Sequence, residues 1–194
     1  MSLWNDVINR YQTIPHAYYN RGLVFMNEKR KDLAINDFNK AIELNPDYVD
    51  AYINRGILFR NEKKYEQALA DYTKVIELRP SYYLAYYNRG ILFMNQNKNQ
   101  EALQDFNKTI EHKGDYPQAY NNRGTLFYNE KKYTEAISDF TKAISLRANY
   151  AEAFFNRGLS EFYSGNKEAA CQDLSRAIGL GYQQAQQVSL EICK

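Results

Sequence analysis

Tyr18, Gly22 and Phe25 stand at spacings of i, i+4 and i+7, and after a short polar stretch Ala34, Phe38, Ala41 and Ile42 repeat that helical spacing. The same pair of runs then recurs. AYYNRG begins at residue 17, and AYINRG, AYYNRG, AYNNRG and AFFNRG begin at 51, 85, 119 and 153, a period of 34 without insertion or deletion. The polar stretch reads NEKRKD in the first copy, then NEKKYE, NQNKNQ, NEKKYT and YSGNKE. It is too short for structure of its own. Pro46 and Pro80 stop the second helix of the first two copies, because proline cannot continue it. Each copy is therefore a helix–turn–helix unit. One amphipathic pair cannot bury both of its faces alone, so the copies must stack into an all-α array.

Small residues predict how closely the helices meet. Gly22, Gly56, Gly90, Gly124 and Gly158 fall within the first helices, where glycine costs roughly 1 kcal/mol relative to alanine. Ala34, Ala68, Ala102, Ala136 and Ala170 are expected opposite them on the second helices. Tyr48, Tyr82, Tyr116 and Tyr150 precede each new first helix, in place to act as hydrophobic staples.

The order aromatic, Gly, aromatic, Ala, aromatic, Ala and closing Pro resembles the tetratricopeptide repeat, whose 34-residue unit is a helix hairpin. The resemblance covers residues 15–184 as five repeats and implies a right-handed α-solenoid. Departures from the pattern are regular. Arg replaces the usual leucine before each glycine, Gly114, Ala148 and Tyr182 replace the closing proline, and Glu161 stands where other copies have Phe25, Phe59, Phe93 and Phe127. Residues 1–14 are expected to hold an N-terminal capping helix over 4–14, with 1–3 fitting a tag remnant. Residues 185–194 are expected to form a C-terminal cap, with Ala185, Val188 and Ile192 on one face.

Composition narrows the function. A formal charge of +2 over 194 residues lacks the concentrated basic excess of a nucleic-acid binder. No apolar run is long enough to span a bilayer, and the N-terminus lacks a signal-peptide pattern. His16 and His112 occupy unrelated repeat positions, Cys171 and Cys193 lack metal-ligand spacing, and no phosphate-cradling loop or nucleophile elbow occurs. These observations predict no catalytic residue, no metal and no cofactor, hence not an enzyme. Cys171 takes the place of Ile35, Leu69, Leu103 and Ile137, and folding the tail back near residue 182 brings Cys193 level with it. The compartment is cytoplasmic by default and exported if those two cysteines are bonded.

Two invariants remain. Arg21, Arg55, Arg89, Arg123 and Arg157 recur in step with Asp37, Asp71, Asp105, Asp139 and Asp173. A carboxylate at the edge of an apolar face is costly unless paired, and an Arg fork is its natural partner. Asn20, Asn54, Asn88, Asn122 and Asn156 lie on the side of the first helix away from its aromatic stripe, where helix-interior Asn is unfavourable. Hydrogen bonds between repeats and ligand binding both fit them. In tetratricopeptide arrays the first helices line a concave surface that takes peptides. The Asn series resembles the asparagine ladder in the repeat domain of O-linked N-acetylglucosamine transferases, which grips the peptide backbone. Specificity would then come from Tyr19, Ile53, Tyr87, Asn121, Phe155, Met26 and Met94. The carboxylate clamp for Hsp70 and Hsp90 tails is not met: Tyr19, Leu23, Leu84 and Asn88 depart from it and only Asn54 agrees. The face is mostly neutral, with Asp50, Arg60 and Glu152 as exceptions. The resemblance thus implies a non-catalytic scaffold whose partner is a protein or an extended peptide. The alternatives are a self-assembling homo-oligomer and the targeting domain of a larger enzyme.

Overall fold

A computed structural model describes residues 2–10 and 13–194. Helix α1 is Ser2–Arg10. The first helices of the five copies are α2 (Pro15–Asn27), α4 (Val49–Asn61), α6 (Tyr83–Asn95), α8 (Pro117–Asn129) and α10 (Ala151–Tyr163). The second helices are α3 (Lys31–Leu44), α5 (Tyr65–Leu78), α7 (Asn99–His112), α9 (Tyr133–Leu146) and α11 (Lys167–Gly179), and α12 (Gln184–Ile192) follows. Every element among the described residues is helical, and the fold class is the all-α helical-repeat solenoid. The chain divides into two units, Met1–Gln96 and Asn97–Lys194. Unit 1 stacks α1, the hairpins α2–α3 and α4–α5, and α6; unit 2 stacks α7, the hairpins α8–α9 and α10–α11, and α12.

The N-terminal helix lies earlier than the sequence suggests. It covers Ser2–Arg10, residues 11 and 12 lie outside the described residues, and Thr13 and Ile14 are not helical. Pro15 occupies the first turn of α2 and holds Ile14 in an extended conformation (φ −95°, ψ 105°), which keeps Ile14 out of a helix.

The polar turns carry more structure than their length implies. In the first, Lys29 donates to the Met26 carbonyl (3.1 Å) and Arg30 to the Phe25 carbonyl (2.8 Å), the paired bonds of a Schellman ending. That ending needs one left-handed residue. Lys29, Lys63, Asn97 and Lys131 supply it at φ 58–60°, and only the fifth copy uses the favoured residue, Gly165.

The glycines meet rings rather than alanines. A Cβ on Gly56 would stand 2.6 Å from Cε1 of Tyr72, and Gly22 and Gly124 face Phe38 and Phe140 in the same way. Gly158, opposite the shorter Leu174, lies against Ala170. The expected Gly–Ala contact is thus corrected at three positions: alanines at 0% exposure line the hairpin interior, while Gly22, Gly56 and Gly124 each seat a second-helix ring. Burying one such side chain contributes about 1.5–3 kcal/mol. Tyr48, Tyr82, Tyr116 and Tyr150 are themselves the N-cap residues, one place later than a staple, and none caps through its side chain. Tyr48 instead packs into the core of the first junction.

At the other end, Leu174, Ala177 and Ala185 are buried together with Val188 and Ile192 packed on them, so α12 lies along α11. Cys171 and Cys193 form a disulfide with Cα atoms 5.7 Å apart.

Candidate functional site

The NRG arginines point into the hairpins. Arg21 meets Asp37 through two bonds (Nε–Oδ2 2.8 Å, Nη2–Oδ1 2.7 Å), and Arg55–Asp71, Arg123–Asp139 and Arg157–Asp173 repeat the fork. The carboxylates are 3–7% exposed, so both oxygens are satisfied where water cannot serve them. Each guanidinium also lies against aromatic rings. Tyr52 and Phe59 lie 5.4 and 5.7 Å from Arg55, and Tyr86 and Phe93 flank Arg89 similarly. A third bond reaches the preceding second helix: Arg55 to Asn39 (2.6 Å), Arg123 to Asn107 (2.7 Å) and Arg157 to Thr141 (3.0 Å). The hydrogen bonds they donate to Asp37, Asp139 and Asp173 raise the guanidinium pKa of Arg21, Arg123 and Arg157. Burial pushes the Asp71 carboxyl up against the opposing pull of Arg55. Asp105 is buried as well.

The asparagines take three different situations. Asn20 is half-buried, and its amide makes no hydrogen bond among the described residues. Asn54 donates Nδ2 to the Tyr19 hydroxyl (3.0 Å), and Asn156 donates to Oδ1 of Asn121 (3.3 Å), each reaching from one first helix to the preceding one. Asn88 is 7% exposed; it donates to its own helix at the Leu84 carbonyl (2.8 Å) and accepts from Arg60 (3.2 Å). Asn122 is half-buried. Within each unit the amides lie on first helices that are neighbours, and those of Asn54, Asn88 and Asn156 are engaged in part within the protein.

Their neighbours divide likewise. Tyr19, Tyr87, Met26 and Met94 are half-buried, Ile53 is buried in the core, and Asn121 is 1% exposed and donates to Glu152 (3.3 Å). Phase of the repeat does not decide availability: Phe155 packs on Tyr182 at 5.0 Å between centroids. Asp50 accepts from the Tyr82 hydroxyl (3.0 Å) beside Tyr19 and Tyr48. Burial, with the charge of Asp50 adding to it, pushes the phenols of Tyr48 and Tyr82 up to about 12.

Sequence reasoning treated Arg60 only as an exception to neutrality and passed over Tyr72. Among the described residues no carboxylate lies within ion-pair distance of Arg60, and the Tyr72 hydroxyl is buried with no hydrogen-bond partner. The signal was present as one substitution in a repeated column: Tyr72 replaces Phe38, Phe106 and Phe140. At the corresponding place in unit 2, Thr125, Tyr128, Phe140, Asn156 and Leu159 line a slot of about 20 Å³. No cluster of metal-ligating side chains occurs among the described residues, and no helix there is long and apolar enough to cross a membrane.

Comparison with known proteins places this geometry. The model of the tetratricopeptide repeat matches residues 15–48, 49–82, 83–116 and 117–150. No curated protein matches the chain in sequence. Among solved structures, YrrB, described as a TPR protein with an unusual peptide-binding site, is 21% identical over 95% of this chain and 96% of its own, with a TM-score of 0.73. The pilF protein of Pseudomonas aeruginosa is 21% identical over 89% of this chain and 78% of its own (TM-score 0.80). Yeast Tom70 is 18% identical over 97% of this chain and 42% of its own (TM-score 0.80). The fold is one typical of protein–protein interaction scaffolds, and the four tandem matches show that the chain belongs to the tetratricopeptide repeat family.

Proposed function

We propose that the protein is a non-catalytic scaffold that holds an extended peptide segment of a partner protein against its first-helix face. In this reading residues 15–184 are the binding array and the helices on either side of it are caps. The observation that carries it is the different treatment of the two invariants. Arg21, Arg55, Arg123 and Arg157 are consumed by buried carboxylates, whereas Asn20 and Asn54 lie on the first helices with hydrogen-bonding capacity left over, most plainly at Asn20. An amide offers one donor and one acceptor to a peptide group, so it grips backbone without dictating sequence. Aromatic and methionine side chains beside it, Tyr19, Tyr87, Met26 and Met94, supply adaptable apolar contact. The peptide-binding site described for YrrB supports the same use of the fold.

The test is selection of random displayed peptides on the immobilised full chain, followed by calorimetry on wild type and the Asn20→Ala/Asn54→Ala double variant. Each lost backbone bond should weaken binding by about 0.5–1.5 kcal/mol, so the pair costs roughly tenfold while the melting temperature holds. Binders indifferent to both substitutions would place the ligand elsewhere.

A further inference from the structure

The second repeat departs from its siblings at two positions, and the two departures face each other. Where other copies have Met26, Met94, Tyr128 and Phe162, it has Arg60; where they have Phe38, Phe106, Phe140 and Leu174, it has Tyr72. The Tyr72 ring lies against Gly56, one helical turn before Arg60, with Cζ 3.1 Å from where a Cβ would stand. Its hydroxyl is buried and has no hydrogen-bond partner among the described residues. Unit 2 shows where a ring in that position points: Phe140 forms part of the small slot that Thr125, Tyr128, Asn156 and Leu159 complete on the first-helix side.

Arg60 covers the equivalent place in unit 1. Its Nη1 donates to Oδ1 of Asn88 (3.2 Å), and Asn88 is locked in that orientation by its own bond to the Leu84 carbonyl (2.8 Å). This leaves the rest of a five-donor fork without a carboxylate partner in the described chain. The buried phenol without a partner costs stability, and the half-buried guanidinium beside it has donors to spare, so the two together suit an acceptor from outside. A carboxylate is the group that satisfies both: it gives the fork its second acceptor and, with a turn of the Arg60 side chain, gives the Tyr72 hydroxyl its first.

We propose that Arg60, Asn88 and Tyr72 form a subsite of unit 1 that takes the carboxylate of an aspartate or glutamate side chain within a bound peptide. The inference rests on the peptide-binding reading and adds an acidic side chain at one fixed position. We commit to a side chain as the source because Asn20 and Asn54, on α2 and α4, offer donors and acceptors suited to internal peptide groups and not to a chain end.

The test uses random peptides displayed as N-terminal fusions, which present no free C-terminus, selected on the full chain. Recovered sequences should carry Asp or Glu at one aligned position. A synthetic copy with Asn or Gln there should bind roughly tenfold more weakly to wild type, the worth of one charge-assisted bond. Arg60→Gln should bind both peptides alike. Tyr72→Phe should narrow the gap several-fold without lowering the melting temperature, which a purely structural hydroxyl would not do. Binders that need Asn54 but carry no fixed acid, or full discrimination retained by Arg60→Gln, overturn the subsite and leave the groove reading standing. A library that yields no binder overturns both.

Discussion

On the first-helix face, unit 1 sets Arg60 against Asn88 above the Tyr72 ring, whereas unit 2 sets Tyr128 and Asn156 above Phe140. The positions are the same in the repeat, yet one place is polar and bridged and the other is an apolar slot. Beneath that face the two units share the same ion-pair joint. Arg55–Asp71 and Arg123–Asp139 have the same two-bond geometry, the same flanking rings and the same third bond to the preceding helix. The ion-pair columns are held fixed, while the ring column beneath and the first-helix column above vary from copy to copy.

The sharpest way to break this comparison is to remove the shared part. Asp71→Ala and Asp139→Ala each strand a guanidinium at a half-buried joint and should each cost about 3–5 kcal/mol in urea unfolding. Clearly unequal losses would show that the forks are not equivalent. Next in size is a feature unit 2 alone carries. Cutting the Cys171–Cys193 bond by reduction or Cys171→Ser should lower stability by about 2–4 kcal/mol. The loss should register by amide exchange in α12 and leave α2–α5 untouched.

A third test turns on the phenols, whose largest shifts lie in unit 1. Unfolded tyrosines release protons near pH 10, whereas Tyr48 and Tyr82 hold theirs to about 12 when folded. Folding therefore binds protons in that window. The contribution is complete below about pH 10 and is lost as pH rises through 12. Exchange protection in unit 1 should fail first on alkaline titration; earlier failure of unit 2 would contradict it. Smallest are the left-handed turn residues. Lys63→Gly in unit 1 and Lys131→Gly in unit 2 relieve the same φ near 60° and should each stabilise by up to ~1 kcal/mol in thermal melts.

Much of the architecture was legible because it is periodic. The spacing of AYYNRG and its copies locates every first helix, and the co-recurring aspartate announces a partner for the arginine. What was illegible is what a period averages away. Gly22 reads as a close approach of backbones, but the sequence does not say whether an alanine or the Phe38 ring fills the space. The Lys29 turn hides its left-handed residue because lysine gives no sign of it. The asparagine column looks uniform, yet Asn20, Asn54 and Asn88 differ in what surrounds them: nothing to bond, a Tyr19 hydroxyl, and an Arg60 fork. Those differences arise from the neighbouring column, which varies from copy to copy.

The third arginine bond has a consequence for how such a chain can grow. Arg55, Arg123 and Arg157 each reach back to Asn39, Asn107 or Thr141 on the helix before. A 34-residue segment thus brings both a plug for its predecessor and a socket for its successor. An in-frame duplication inherits a complete joint at each end, so lengthening the array needs no compensating change elsewhere. Loss of a segment rejoins matching ends for the same reason, which makes the number of repeats an easily varied character of the gene while the joint itself stays unchanged.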